Sequence, residues 1–238
     1  MMVRGAVSRQ ASRTLAAAGV AVFLGIWCLL SYGGIVPAVI LPSPSEVFWA
    51  IPYLHFEEAL VRSALASLYR VFMGFLLAAA VAIPLGILMG TFPPVKRFFS
   101  PLVDPLRFLP ISAIVPLFIV WFGFEDLQKV MFLFVGIVVY MLPLVVEAVE
   151  RVDDVYLQTA TTLGASRWQL VWHVLVPGSS PAVGEALRVM NGIGWTYVIM
   201  AEVVNAPSGL GHLITVSQRY GHMDRMFALV FAILLIGV

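Results

Sequence analysis

From residue 73 to residue 90 the chain reads MGFLLAAAVAIPLGILMG, without one charged side chain. A run this long and this apolar leaves few folding options, because about 20 predominantly apolar residues are what a helix needs to cross a bilayer core. The same character recurs at 15–32, at about 108–124, at 130–149, at about 181–204 and from Met226 onward. With the second segment extended to roughly 63–90, six spans are expected. Each should be helical, since lipid offers no partner to an unpaired backbone group. The chain is 61% hydrophobic and 11% charged, whereas soluble domains carry roughly 25% charged residues. The expected fold is therefore an all-α integral membrane protein of about six transmembrane helices. A cytoplasmic tail (1–14) would precede a single transmembrane domain (15–238).

Charge and cysteine content close off other classes. A net charge of +1 gives no footing for nucleic acid, and the single Cys28 excludes an intramolecular disulfide framework. Arg4, Arg9 and Arg13 precede LAAAGVAVFLGIWCLL (15–30), a shape that a cleavable leader would share. No small-x-small site follows Leu30 and further spans lie downstream, so an uncleaved first helix is expected. From Met226 to Val238 a helix would reach only about 20 Å at 1.5 Å per residue, against a core of about 30 Å. This leads to the expectation that a C-terminal piece is missing.

Lysine and arginine in short loops set orientation. Arg4, Arg9, Arg13, Lys96, Arg97, Arg151 and Arg167 fall on one side; Arg62, Lys129, Arg219 and Arg225 fall on the other. The richer side, which includes the N-terminus, is expected to be cytoplasmic.

Inside the spans, small residues and prolines stand out. Gly86 and Gly90 form a GxxxG pair with Ala78 and Ala82 on a related face, a spacing that lets helices approach closely. Pro84, Pro110, Pro116 and Pro143 are expected to kink their helices. Ionisable residues in spans are costly and draw a functional question. Arg70, one turn into the second span, can snorkel to the interface. Asp104 and Arg107, and likewise Glu185 and Arg188, are spaced to pair on one helix face. Glu202 has no basic neighbour in sequence; it can pair with Arg70 from another helix, line a translocation path or face solvent.

No HExxH, GxSxG or GxxxxGK[ST] motif is present, and His55, His173, His212 and His222 are scattered without metal-ligand spacing. Nothing in the chain can hydrolyse ATP, so uphill transport would draw on a partner or an ion gradient. That leaves the 150–178 loop, far longer than the few residues a connection needs. Asp153 or Asp154 can cap a short helix over Tyr156, Leu157, Ala160 and Leu163, with Gly164 as its stop. A second helix, ASRWQLVWHVLV, would lay Trp168, Leu170, Val171, Trp172 and Leu175 on the membrane surface and end at Pro177. An amphipathic connector is the plain alternative.

This loop resembles the cytoplasmic signature loop of ABC importer permeases: EAA, three residues, Gly, nine residues, then I-x-L-P. Gln158, Thr159 and Ala160 stand at the EAA positions, Gly164 at the Gly, and Val174, Val176 and Pro177 at the I, L and P. Gln for the acidic residue and Thr for the first Ala are departures; a hydrogen bond from Gln158 is expected in place of that Glu's ion pair. LPSPSEVFWA (41–50), PLVDPLRFLPISAIVPLFIVWFG (101–123), LGASRWQL (163–170) and AEVVNAPSGLGHLI (201–214) are similar to permeases of the nitrate, sulfonate, taurine and bicarbonate group. The resemblance implies one N-terminal span plus a five-helix core, a homodimer, and location in the bacterial inner membrane. It also implies two ATPase subunits that hold the ATP and Mg, and a periplasmic or lipoprotein binding protein that delivers the solute. Asp154, Gln158, Thr159, Ala160, Gly164 and Ala165 would then belong to a coupling helix that docks on the ATPase. Arg70, Arg107 and Glu202 are candidates for the path or gate. The main alternative is a secondary transporter in which Glu202 and Arg70 couple an ion gradient. An intramembrane enzyme lacks any catalytic constellation.

Overall fold

The computed structural model describes residues 8–237, so Arg4 lies outside the described residues. The helices, in chain order, are α1 (Arg9–Tyr32), α2 (Pro44–Phe56), α3 (Leu60–Thr91), α4 (Pro93–Val103), α5 (Val115–Phe122), α6 (Asp126–Glu150), α7 (Asp154–Thr162), α8 (Arg167–Leu170), α9 (Val176–Asn205), α10 (Leu210–Arg219) and α11 (Met223–Gly237). Among the described residues there is no strand. The chain divides into two compact units, one of residues up to Leu60 with Leu213–Ala232, the other of Val61–His212 with Ile233 onward.

In the larger unit, α3 carries a small-residue stripe: Gly74, Ala78, Ala82, Gly86 and Gly90, one residue per turn. It meets α6 closely. A methyl added at Gly86 would stand 2.6 Å from the Val145 side chain, and one at Gly90 would stand 2.7 Å from that of Val149. Both are inside van der Waals contact, so the backbones approach as they do because those side chains are absent. The sequence pattern and the packing agree here. Around α6 sits a core of Ile111, Val115, Phe118, Phe132 and Ala201, drawn from the segments leading into α5 and from α5, α6 and α9.

The expected span at 108–124 is not one helix. Asp104–Phe108 and Ile111–Ile114 are 3-10 turns, and the chain bends by 94° between Pro93–Phe108 and Ile111–Phe122. Pro110 supplies the reason: its ring drives Leu109 out of helical space, to φ −74°, ψ 124°. Among the described residues, three unbroken helices (α1, α3 and α6) are long and apolar enough to span, and the bent pair makes up to four. α9 has the length, 30 residues, but is diluted by Glu185, Arg188, Asn191 and Glu202. In the smaller unit, α1 starts at Arg9, so Arg9 and Arg13 ride on the helix instead of a tail.

Candidate functional site

The long loop folds largely as its residues suggest. Asp153 is the cap of α7, its carboxylate accepting from the Val155 backbone N–H at 3.0 Å, and Asp154 begins the helix. Gly164 closes it at φ +86°, a conformation open to glycine at little cost. The N–H of Gly164 donates to Thr161 and that of Ala165 to Ala160, a Schellman pair that satisfies the last carbonyls. Ser166 then caps the next helix in a reciprocal box with Gln169.

Pro177 does not end that helix. α8 passes through a π turn, Val171–Leu175, directly into α9. The Val176 N–H donates five residues back to Val171, and this wider turn absorbs the missing N–H of Pro177. The apolar face also divides. Val171 and Leu175 are buried, whereas Trp168 and Trp172 point outward. Nothing on α7 is buried; Gln158 and Thr159 are exposed, and so are Val155, Tyr156 and Leu163. A groove of about 670 Å³ runs beside it, lined by Tyr156, Thr159, Ala160, Leu163, His173 and Pro177.

Arg70 does not snorkel. Its side chain is 1% exposed, and each of its five N–H groups has a partner. Nε donates to Asp126 at 2.8 Å. Nη1 donates to Glu202 at 2.6 Å and to the Ser208 carbonyl at 2.8 Å. Nη2 donates to Asp126 at 2.6 Å and to the Ser208 hydroxyl at 3.2 Å. Glu202, with a side chain 0% exposed, lies 2.8 Å from Ser67 Oγ through both oxygens. It also accepts from the Gly211 N–H at 2.9 Å, while Ser67 Oγ accepts from the Leu210 N–H at 2.9 Å. Two side chains from distant elements thus cap the first amide groups of α10, and one of them brings a negative charge to the positive end of its dipole. Gly209, at φ +119°, lets the preceding loop close over the carboxylate, where any Cβ would strike it.

Of the alternatives open for Glu202, the structure thus places the pair with Arg70. Ser67, Asp126, Ser208 and Gly209 were not singled out from sequence. The available signal was Ser63, Ser67, Arg70 and Gly74, which continue the small-residue face of α3 in polar form. Lys129 also differs from its reading as a loop charge: it is buried, with Nζ donating to the carbonyls of Phe124 (2.7 Å) and Glu125 (3.3 Å).

Arg107 stands elsewhere. It is exposed and lines a cavity of about 390 Å³ with Lys96, Ser100, Asp104, Tyr140 and Glu147. Asp104 and Arg107 form no ion pair among the described residues. Glu185 and Arg188 do, at 3.5 Å on the surface. Lys96 pairs with Glu150 at 2.6 Å beside the cavity, and the Tyr140 hydroxyl donates to the Arg107 carbonyl at 3.1 Å. The cavity adjoins the break before Pro110. Non-helical backbone at membrane depth is tolerated where it lines a cavity or is buried in protein.

Comparison with known proteins places these features. The family profile of the binding-protein-dependent transport system inner membrane component matches residues 82–238. The taurine transport system permease protein TauC of Escherichia coli is 29% identical over 98% of this chain and 86% of its own length. A putative ABC transporter permease protein of Methanocaldococcus jannaschii is 38% identical over 76% of this chain and 68% of its own. The bicarbonate transport system permease protein CmpB of Synechocystis is 28% identical over 92% of this chain and 82% of its own. In fold, the chain is similar to the MetNI methionine ABC transporter in an inward-facing conformation. There the TM-score is 0.65 at 22% identity, covering 76% of this chain and 90% of that one.

Proposed function

The chain belongs to the family of binding-protein-dependent transport system inner membrane components, and from that premise we propose how it couples to its partners and what it carries. It is the permease subunit of an ATP-driven ABC importer. In our reading α7 is the coupling helix, and two ATPase subunits, which hold the ATP and Mg, dock on the exposed side chains of the 150–178 loop. The observation that carries this is a well-capped helix with Val155, Tyr156 and Leu163 left exposed, at the signature spacing of Gln158, Thr159, Ala160 and Gly164. The face with that loop, and the N-terminus, are then cytoplasmic. A second copy of the chain completes the path, and a binding protein supplies the solute on the opposite side.

Closure of the ATPase pair would push on α7. Because α8 runs through the π turn into α9 without a loop, that push is delivered to a long helix. A ligand shifts such an equilibrium only through a difference in affinity for the two states. The solute is a small polar molecule, an anion such as nitrate, a sulfonate, taurine or bicarbonate; the names of the relatives support this class. We assign the path to the cavity at the broken helix, with Arg107 as its cation. Arg70 and Glu202 we assign to scaffolding, since every donor of Arg70 is already committed. The same commitment weighs against an ion-gradient mechanism that would cycle those two groups.

Leu163→Asp tests the docking reading. It places a charge in an interface core where single anchors are worth about 2 kcal/mol or more, roughly thirtyfold in affinity. The ATPase subunit should no longer co-purify with the tagged, membrane-inserted permease. Undiminished co-purification and uptake would remove α7 from that role. The solute itself is identified by the ligand that the cognate binding protein retains.

A further inference from the structure

Helix α2 is apolar apart from Ser45 and Glu46 in its first turn and Tyr53 and His55 near its end. Between Glu46 and Glu57 it contains no Asp, Glu, Lys or Arg. At about 100° per residue, Val47, Ala50 and Leu54 fall on one side and are buried. Phe48, Pro52 and Phe56 recur every fourth residue on the opposite side, with Trp49 next to them. All four are exposed, Trp49 by 71% and Phe56 by 78%. An uncovered aromatic patch of this kind marks an interaction surface.

The position of α2 says what covers it. The Trp27 indole N–H donates to the Pro42 carbonyl at 2.9 Å, and the Tyr32 hydroxyl to Ser45 Oγ at 2.8 Å. Trp27 lies about 7.5 Å below Tyr32 along the axis of α1, at 1.5 Å per residue. The chain therefore turns back after α1 and descends before α2 begins. Leu41 joins Phe23, Ile26, Trp27 and Leu30 of α1 in lining an apolar groove. The start of α2 thus lies level with the last turns of a spanning helix, whose own outward side (Val22, Phe23, Ile26, Leu29) is apolar and exposed. The charged groups of this region collect on another flank, where the Arg225 guanidinium lies 3.7 Å over the Tyr53 ring and pairs with Glu58 at 3.0 Å.

We propose that α2 is an interfacial helix whose Phe48–Trp49–Pro52–Phe56 face is embedded in the headgroup–acyl boundary of the leaflet that surrounds the C-terminal end of α1. Lipid is its partner. An apolar, uncharged, aromatic surface at that depth matches the boundary, where rings of Trp and Tyr concentrate. The proposal rests on α1 as a spanning helix and stands apart from the coupling assignment.

The test uses the full chain in a Cys28→Ser background, reconstituted into phosphatidylethanolamine–phosphatidylglycerol vesicles. Trp49→Cys, Phe56→Cys and, as a water-side control, Glu57→Cys are labelled with an environment-sensitive fluorophore. Nitroxide at carbon 5 of the lipid acyl chain should quench the label at 49 and 56 about threefold or more over that at 57, and aqueous iodide should show the reverse order. Iodide quenching at 49 and 56 equal to that at 57 would overturn the proposal. So would protection of 49 and 56 from both quenchers, the mark of a second copy or a binding protein seated on the face. Should Trp49→Cys fail to insert, Phe48→Cys and Phe56→Cys read the same face.

Discussion

The knot around Arg70 and the loop around α7 are both polar interruptions of an apolar chain, yet they end in opposite conditions. In the knot every guanidinium N–H meets an acceptor, both carboxylate oxygens of Glu202 are held, and the N-terminus of α10 is capped as a by-product. The loop satisfies its backbone with equal care, but Tyr156, Leu163, Trp168 and Trp172 remain largely exposed. A buried group with all its bonds spent internally is a fixture. A well-ordered element with unspent apolar surface is built for something outside the chain. Polarity in a membrane span is thus a poor guide to function until its bonds are traced.

The contrast can be broken most forcibly at Arg70. Arg70→Ala leaves Glu202 buried beside Ser67 without its ion-pair partner, a change that costs about 3–5 kcal/mol. Thermal unfolding of the purified chain should shift down sharply, and Arg70→Lys should rescue little, because an ammonium has three donors where five are used. Unchanged unfolding of Arg70→Ala would end the fixture reading. Gly86→Val comes next: its side chain would overlap Val145, and overpacking costs about 1–3 kcal/mol, read by the same unfolding assay. At Gly164 the comparison turns around. A bulky residue there bears about 1–2 kcal/mol of left-handed strain in an exposed loop, so insertion and unfolding should change little. Uptake and solute-stimulated ATPase should nevertheless fall together. Retained uptake with the ATPase still bound would show that α7 carries no force.

The smallest effect is expected at α2. Its Glu46 carboxyl is held below the usual carboxylate range, first by the Ser43 backbone N–H and then by the Ser43 hydroxyl. A depressed carboxyl contributes stability above its unfolded pKa of about 4.3, and that contribution is lost as pH falls through the folded value. Glu46→Gln should therefore unfold slightly earlier than the parent at neutral pH, with the gap closing in acid.

Much of this was legible in the residues. Gly164 announced the end of α7, and the Gly86–Gly90 spacing announced that α3 packs closely against another helix, because both are local rules of backbone and side-chain size. The partnership of Arg70 and Glu202 stood as one of several readings, since the two are joined only through folding. Asp126, Ser67 and Ser208 were invisible as members of their network for the same reason. Pro177 misled: a proline reads as a helix stop, and only the π turn before it shows how the helix continues.

The residues alone were enough to establish that this chain spans a membrane, that its backbone is helical and that its long loop carries a capped short helix. Each of these follows from composition, length and near-neighbour chemistry. Tertiary structure decided which charges are fixtures, what cavity the break at Pro110 adjoins, and that α2 begins beside the last turns of α1 with its aromatic side chains exposed. Those facts depend on which distant groups come within about 3 Å of one another, the range at which hydrogen bonds form, and sequence spacing does not encode that distance.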